Sequence, residues 1–252
     1  MKSALSASKQ WAKRQHWWFK IKTLAKLALL VFLIAAQLAF AAPKNVTLTY
    51  QATRNGKPFA NVTETFKQTG DQYVIENVTE GVGLAALFGK RVLKSEGLVT
   101  AEGLQPKHFE QRQGDNEKKT VYADFDWVAN QLSMKNKGNV TSEPLAKGTQ
   151  DLASFPYQWM LFPPKADEGS LPITTGKKQR VYVYKAVERD VSLTVDAGQF
   201  KTLHLSNGIE TGGGSEREFW LALDRFYLPV KIIMREENGT TIEQTLSSIH
   251  ID

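Results

Sequence analysis

The sequence predicts an all-β protein: an antiparallel, strongly curved meander sheet or barrel-like fold, with one short kinked helix packed in its open side. Three observations indicate this class. Many short runs carry apolar residues at every second position, turn residues separate them, and helical spacing is convincing in one segment only. A curved sheet of roughly a dozen strands encloses volume that its own side chains fill poorly. We therefore expect the helix or a ligand to occupy the interior.

The stretch from 216 to 251 shows the strand pattern most clearly. Phe219 and Leu221 lie on one face of the first run, and two turn signals, the second carrying Asn238-Gly239, divide the stretch into three runs. Pro229 cannot donate to a ladder and is expected at the start of its strand. This terminal meander is the part around which the rest of the chain is expected to assemble.

Residues 1–41 have the anatomy of a secretory signal peptide. They hold seven of the 32 basic residues and no acid, which leaves 25 basic against 26 acidic residues in the remainder. An apolar run over 27–38 precedes Ala39-Phe40-Ala41, a small-x-small cleavage site. The run is shorter than the roughly 20 residues that span a bilayer. We expect export to the periplasm and a single β domain over 42–252; the alternative is inner-membrane anchoring through an uncleaved leader.

The first half of the mature chain has the clearest short hairpins. Apolar residues alternate from Val46 to Ala52, and Asn55-Gly56 and Gly70-Asp71 are expected to turn the chain into two further strands. The strand over 121–127 is the most amphipathic of all. Its outer face carries Asp124 and Asp126, which we interpret as a solvated surface because no third oxygen ligand or histidine is near in sequence.

Two segments interrupt the strands. Residues 81–89 are rich in Gly, Leu and Ala, and predict a short helix or apolar loop that plugs an open end of the sheet, or else a lid over an apolar ligand. Residues 149–162 have helical apolar spacing, with Pro156 expected to kink or split the helix. Separate strands are expected after it at 180–186, 190–196 and 199–205.

Several classes of chemistry lack their residues. Without cysteine there is no disulfide, thiol nucleophile or thiolate metal site. The four histidines are scattered, so neither metal-ligand spacing nor a catalytic triad is indicated. Gly212-Gly213-Gly214 lacks the Lys-Ser/Thr of a nucleotide loop and is interpreted as hairpin chemistry. We expect no enzyme activity, no cofactor and no metal.

The chain resembles an exported bacterial family called domain of unknown function 3108 (DUF3108). The resemblance runs from about Tyr50 to Ile249 and depends on four motifs. They are Gly97-Leu-Val-x-x-x-Gly103-Leu-x-Pro106, Ala123-Asp-Phe125-Asp126-Trp127, Gln150-Asp151-x-x-Ser154-x-x-Tyr157-Gln158, and Phe219-Trp220-Leu-Ala-x-Asp224 with Leu228-Pro229-Val-Lys-Ile. It implies an envelope-located β protein and brings no established activity with it. The final strand, turn, Leu-Pro and strand are also similar to those of periplasmic lipoprotein carriers with a half-barrel fold.

Two functional hypotheses follow. In the first, the protein binds an amphipathic or lipid-like envelope component in an interior cavity without transforming it. The residues expected to line that cavity are Leu87, Phe88, Trp127, Phe155, Trp159 and Trp220. In the second, the cavity is plugged and the protein is an envelope-integrity or assembly module that contacts a protein partner. A hydrolase of envelope polymer is a third, less favoured reading, nucleic acid is not expected as a partner, and membrane contact is expected only through the leader.

Overall fold

The computed structural model describes residues 42–114, 117–208 and 215–252. The leader over 1–41 and Gly212-Gly213-Gly214 lie outside these ranges, so the predictions for them stay predictions. Among the described residues, no helix is long and apolar enough to cross a membrane.

The described residues form an all-β fold with one short α-helix, as the sequence predicts. The strands in chain order are β1 (Asn45–Arg54), β2 (Lys57–Thr69), β3 (Gln72–Gly81), β4 (Arg91–Thr100), β5 (Gly103–Gln113), β6 (Val121–Asp126), β7 (Gln131–Asn136), β8 (Asn139–Pro144), β9 (Gln150–Asp151), β10 (Glu168–Thr174), β11 (Gln179–Val195), β12 (Gly198–Ser206), β13 (Glu216–Ala222), β14 (Leu228–Arg235) and β15 (Thr241–Ile251). The helix α1 is Phe155–Leu161, and 3₁₀ turns lie at Gly83–Phe88 and Glu117–Lys119.

These strands make one open sheet in the order β8-β7-β6-β5-β4-β3-β2-β1-β15-β14-β13-β12-β11-β10-β9. All neighbours are antiparallel except β9 and β10, which are parallel. The first strand pairs with the last: Val46 lies opposite Ile251 and Arg54 opposite Ile242. β8, at one end of the sheet, also approaches β11, the third strand from the other end: the Gln179 amide of β11 donates to the Glu143 Oε1 of β8 at 3.0 Å.

The sheet curves around α1. Five strands separate β5 from β14 in the sheet, yet the helix contacts both. Tyr157 stacks on Phe66 of β2 at 5.4 Å between ring centroids, while Trp159 meets Phe219 of β13 edge-on at 5.0 Å. The concave face is therefore filled by the aromatic residues of the helix, and these contacts join the two halves of the sheet.

Alternation explains which residues form this core. Val46, Leu48, Tyr50 and Ala52 of β1 are all buried, as their period of two predicts. The Tyr50 hydroxyl is satisfied in the core because it donates to the Pro229 carbonyl at 2.9 Å.

Two predictions of element boundaries are wrong. The helix covers Phe155–Leu161 rather than 149–162, and Pro156 lies in its first turn, where a missing amide proton costs no hydrogen bond. Residues 150–151 form β9 instead. The expected strands 180–186 and 190–196 are one strand, β11, whose register shifts near Glu188 bend it without ending it.

Candidate functional site

The helix begins in a buried polar network that fixes its position on the sheet. The Asp151 carboxylate accepts hydrogen bonds from the amides of Ala153 and Ser154 at 2.9 and 2.8 Å and from the Ser95 hydroxyl at 2.6 Å. Burial raises the pKa of Asp151 to about 6, and these three hydrogen bonds oppose that rise. The network holds the start of the helix against β4.

Most residues of the third family motif belong to the same attachment. Gln150 Nε2 donates to the Leu104 carbonyl at 2.8 Å, and Gln158 Oε1 accepts from the Leu104 amide at 2.9 Å. Gly103 leaves the room that the Gln158 side chain occupies, since a Cβ there would lie 2.1 Å from its Nε2. These motif residues hold the helix on the sheet. Other side chains line the open end of the sheet.

A cavity of about 460 Å³ lies at that open end, and we call it the arginine pocket. Its lining residues come from β1 to β5, β14, β15 and both 3₁₀ turns. The apolar ones include Ala52, Phe59, Ala60, Val62, Ala85, Phe88, Met234 and Ile242, and the polar ones are Arg54, Thr79, Arg91, Gln113, Lys119 and Gln244. Three of these side chains are cationic and none is a carboxylate.

Arg91 is the least exposed of the three cations that line the pocket, and Arg217 lies on a strand next to the pocket wall, close enough to act on the charge of Arg91. Arg91 is on the inner face of β4, two residues from buried Leu93, and its Nη2 donates to Gln111 Oε1 at 3.1 Å. Burial and the nearby positive charge of Arg217 lower the pKa of Arg91. Arg217 is the cross-strand partner of Met234, which lines the pocket. Within the described residues, neither guanidinium forms an ion pair.

The Arg217 guanidinium contacts aromatic rings and, within the described residues, no carboxylate. Its guanidinium lies 5.5 Å from the Tyr182 ring centroid and 5.9 Å from that of Phe155. Its Nη1 is buried and has no hydrogen-bond partner in the described part of the chain, and the same is true of Gln244 Oε1 on the pocket wall. A donor and an acceptor thus remain unused beside one cavity, where an unpaired buried polar group normally costs stability.

A polar chain leads from the pocket wall to the helix. Thr79 donates to Asn77 Oδ1 at 3.4 Å, Asn77 donates to Glu64 Oε1 at 2.6 Å, and the Tyr157 hydroxyl donates to Glu64 Oε2 at 3.4 Å. Burial raises the pKa of Glu64 to about 7, although both hydrogen bonds favour its charged form. This carboxyl is therefore the acid closest to titrating near neutral pH among those of the inner face.

The six residues expected to line one cavity lie at four places. Phe155 and Trp159 are together in the core, 5.8 Å apart, and Trp159 also borders a second cleft of about 310 Å³. Trp127 stacks on Phe125 and donates to the Pro106 carbonyl at 2.6 Å. Trp220 stacks on His204 at 4.0 Å, on the face opposite to Phe219.

Leu87 and Phe88, the last two of the six, lie on the 3₁₀ turn Gly83–Phe88. We call this turn the apolar tip. Its large side chains do not plug the open end of the sheet, which is contrary to the expectation: Leu84, Leu87 and Phe88 are 83%, 82% and 75% exposed, and the turn has no buried residue. Phe88 nevertheless borders the arginine pocket, so of the six predicted residues it is the one found there.

Sequence reasoning missed Arg91 and Arg217, although a signal for both exists. Each occupies an inward position of an alternating strand, Arg91 in step with Leu93 and Arg217 in step with Phe219 and Leu221. A basic residue at a position where alternation predicts an inward apolar side chain indicates that its charge meets either a buried partner or a ligand. Asp124 and Asp126 are exposed, as predicted, and no group of three or more His, Cys, Asp or Glu within the described ranges could hold a metal ion.

Comparison with known proteins places the chain in a family. None of the curated proteins matches it. A solved structure of a candidate lipoprotein from Parabacteroides distasonis is similar to this chain at 10% identity and a TM-score of 0.37, and the match covers 84% of this chain and 97% of that one. The model of the family described as protein of unknown function (DUF3108) matches residues 47–247. This confirms the resemblance found in the motifs: the chain belongs to the DUF3108 family.

Proposed function

We propose that this protein binds an anionic amphiphile of the cell envelope in the arginine pocket and does not transform it. The observation that carries the proposal is the charge of the site. Arg54, Arg91 and Lys119 line the cavity, Arg217 lies beside it, and no lining residue is a carboxylate. The occupant in this proposal has one apolar chain and a carboxylate or phosphate head.

Arg91 and Arg217 favour an anion because they are partly desolvated and neither pairs with an acid in the described part of the chain. A guanidinium presents a planar fork of donors that matches carboxylate and phosphate oxygens. Arg217 Nη1 has a donor to offer, and Gln244 Oε1 can accept from a hydroxyl or a protonated head. An anionic head would thus satisfy groups that the described protein leaves unsatisfied.

The rest of the lining suits the chain of such a ligand. Ala52, Val62, Met234 and Ile242 present only apolar side chains to the cavity. Its volume of about 460 Å³ is within the roughly 300–1,000 Å³ typical of small-molecule sites. One short acyl chain, or part of a longer one, is the cargo that this size supports.

Location in the periplasm is part of the proposal. It is supported by the leader over 1–41, with its basic segment, apolar run and Ala39-Phe40-Ala41 site. The alternative, an uncleaved leader that anchors the protein to the inner membrane, keeps the same pocket on the same side of that membrane. Intact mass of the purified protein distinguishes the two.

A specific observation also favours the second hypothesis, an assembly module that acts through protein contacts. Phe155 and Trp159, expected as part of a ligand wall, are packed against Tyr184 and Phe219 in the core. The helix therefore plugs the middle of the concave face. In that case crosslinking in cells traps a protein partner while the arginine pocket stays without lipid.

Lipid binding is tested by native mass spectrometry of protein purified from the periplasm, followed by displacement of a fluorescent fatty acid. We expect a co-purifying lipid mass, and at least tenfold weaker binding of the fatty acid to Arg217→Met or Arg91→Met. One hydrogen bond to a charged group contributes about 1.5–3 kcal/mol, and about 1.4 kcal/mol is a factor of ten. A neutral monoacylglycerol should bind wild type and both variants alike.

The matched control is Arg112→Met. Arg112 is on β5 next to Gln111 but exposed, and it pairs with Glu110 at 3.2 Å. It should leave fatty-acid affinity unchanged. A lipid-free mass with no fatty-acid uptake by the wild type, or equal losses in the control and pocket variants, would refute the proposal.

A further inference from the structure

We propose that the apolar tip, Gly83–Phe88, docks the open end of the sheet onto an anionic lipid bilayer, which is then the source or destination of the pocket's ligand. This inference rests on the proposed function for the ligand, but the docking itself is measured independently. Leu84, Leu87 and Phe88 expose most of their surface within five consecutive positions. Single exposed apolar residues are ordinary, whereas a cluster marks an interaction site.

The exposure is built into the backbone. The Val82 amide donates to the Phe59 carbonyl at 2.9 Å, and Gln113 Nε2 donates to the Phe88 carbonyl at 2.9 Å. Gly81 packs so closely on the turn that a Cβ would lie 2.4 Å from the Ala85 carbonyl carbon. The turn is therefore fastened at both ends while its large side chains point into solvent.

The charges around the apolar tip select the kind of surface. Arg54 and Lys119 are exposed at the border of the arginine pocket, and neither forms an ion pair among the described residues. Lys90, next to the tip, pairs with Glu80. Each unpaired basic residue near an anionic membrane strengthens binding by about fivefold. Apolar side chains flanked by free cations match an anionic bilayer better than a neutral one.

The apolar tip and the arginine pocket are continuous. Ala85 and Phe88 line the pocket, while Leu84 and Leu87 of the same turn face outward. Apolar side chains of interfacial segments sit about 5–10 Å into the headgroup region. A docked tip would place the pocket beside the headgroups, so that an acyl chain could enter with little exposure to water.

Co-sedimentation with vesicles tests the docking, using protein purified from the periplasm as the cell makes it. Wild type should bind phosphatidylglycerol-containing vesicles several-fold more strongly than pure phosphatidylcholine vesicles, and added salt should weaken this preference. Leu84→Ser/Leu87→Ser should reduce partitioning at least tenfold, because burial of one leucine side chain alone is worth about that factor. The assay uses protein whose intact mass shows that the leader has been removed, because a basic, apolar leader would bind vesicles by itself and mask the contribution of the tip.

The control is Val128→Ser/Val140→Ser, which removes two exposed apolar side chains elsewhere, 96% and 67% exposed. It should bind vesicles as wild type does, and thermal melts should show that both double variants fold. Equal vesicle binding by the two double variants, or no preference for anionic lipid, overturns the docking. So does a dimer in solution that Leu84→Ser/Leu87→Ser dissolves, since the tip would then meet a second copy.

The two proposals fail separately. Fatty-acid displacement is measured without vesicles, and vesicle binding is measured without added fatty acid. Displacement without vesicle binding refutes the docking alone. Vesicle binding without displacement refutes the pocket ligand and leaves the docking in place.

Discussion

Replacing Glu64 with glutamine tests the electrostatics of the inner face most directly. Glu64 is on β2 between inward-facing Val62 and Phe66 and is only 6% exposed. Asn77 and Tyr157 donate to it, and Tyr50 faces it from β1. Burial raises the pKa of its carboxyl from 4.5 to about 7. Glutamine keeps the size and cannot ionise. Its Oε1 can still accept from Asn77, whereas its Nε2 would donate to the Tyr157 hydroxyl oxygen and so reverse that hydrogen bond.

The sign follows from which state holds the proton. Between pH 4.5 and about 7, the folded protein keeps Glu64 protonated while the unfolded chain has released that proton. The contribution of Glu64 to stability is therefore fully present below pH 4.5 and is lost as the pH rises through about 7. With 1.36 kcal/mol per unit, the shift corresponds to roughly 3 kcal/mol. Because glutamine has no proton to release, Glu64→Gln should not lose this stability as the pH rises.

Urea denaturation of wild type and Glu64→Gln at pH 5 and pH 8 measures the effect. The variant should gain on wild type by roughly 2–3 kcal/mol between these pH values, since part of the loss has already occurred at pH 5, and it should be the more stable protein at pH 8. The buried Asp151, whose pKa is also raised, contributes to both proteins and cancels in the difference. Glu76→Gln, at an exposed position of β3, controls for the loss of a surface charge. Parallel pH profiles for wild type and Glu64→Gln would show that the reasoning is wrong.

Two further predictions concern the scaffold. Trp159→Ala should lower the free energy of unfolding by about 3–5 kcal/mol, because it removes the side chain at the centre of the aromatic cluster around α1. A loss below about 1 kcal/mol in urea titration would contradict the packing described. Gly97→Ala should lower the melting temperature, since its Cβ would lie 2.2 Å from the Gln105 carbonyl oxygen, whereas Gly169→Ala, with no atom within 4 Å, should not; equal melts would contradict the close approach of β4 and β5.

The fold could be predicted because its signals are local. Val46 to Ala52 alternate over one hairpin, and Asn55-Gly56 closes it, so both register and turn can be read from a dozen residues. The helix begins at Phe155 rather than at 149 because Gln150 and Asp151 pair with β10, and the Gln150 side chain also bonds to β5. That tertiary pairing outweighs local helical spacing.

The candidate site could not be predicted for a different reason. Aromatic residues were expected to form a ligand wall, yet Phe155 and Trp159 serve the core, and Trp127 and Trp220 stack on neighbours elsewhere. Arg91 and Arg217 are 126 positions apart in sequence and meet only because the sheet curls. No local sequence pattern predicts that these two side chains come close, although each arginine is unusual at its inward strand position.

The pairing of β1 with β15 has a consequence for how the chain reaches this structure. Every other antiparallel ladder joins strands that follow one another, whereas the hydroxyl of Ser247 reaches the carbonyl of Thr49 across 198 positions. As the chain folds, β1–β8 and β9–β14 can form separately, but β1 stays unpaired on one side until β15 is in place. Until then β1 and β14 each have an edge of unpaired backbone amides and carbonyls, to which a strand of another chain could pair. Because β15, with its eleven residues, completes this pairing last, the folding chain is most vulnerable to aggregation in the step before β15 pairs.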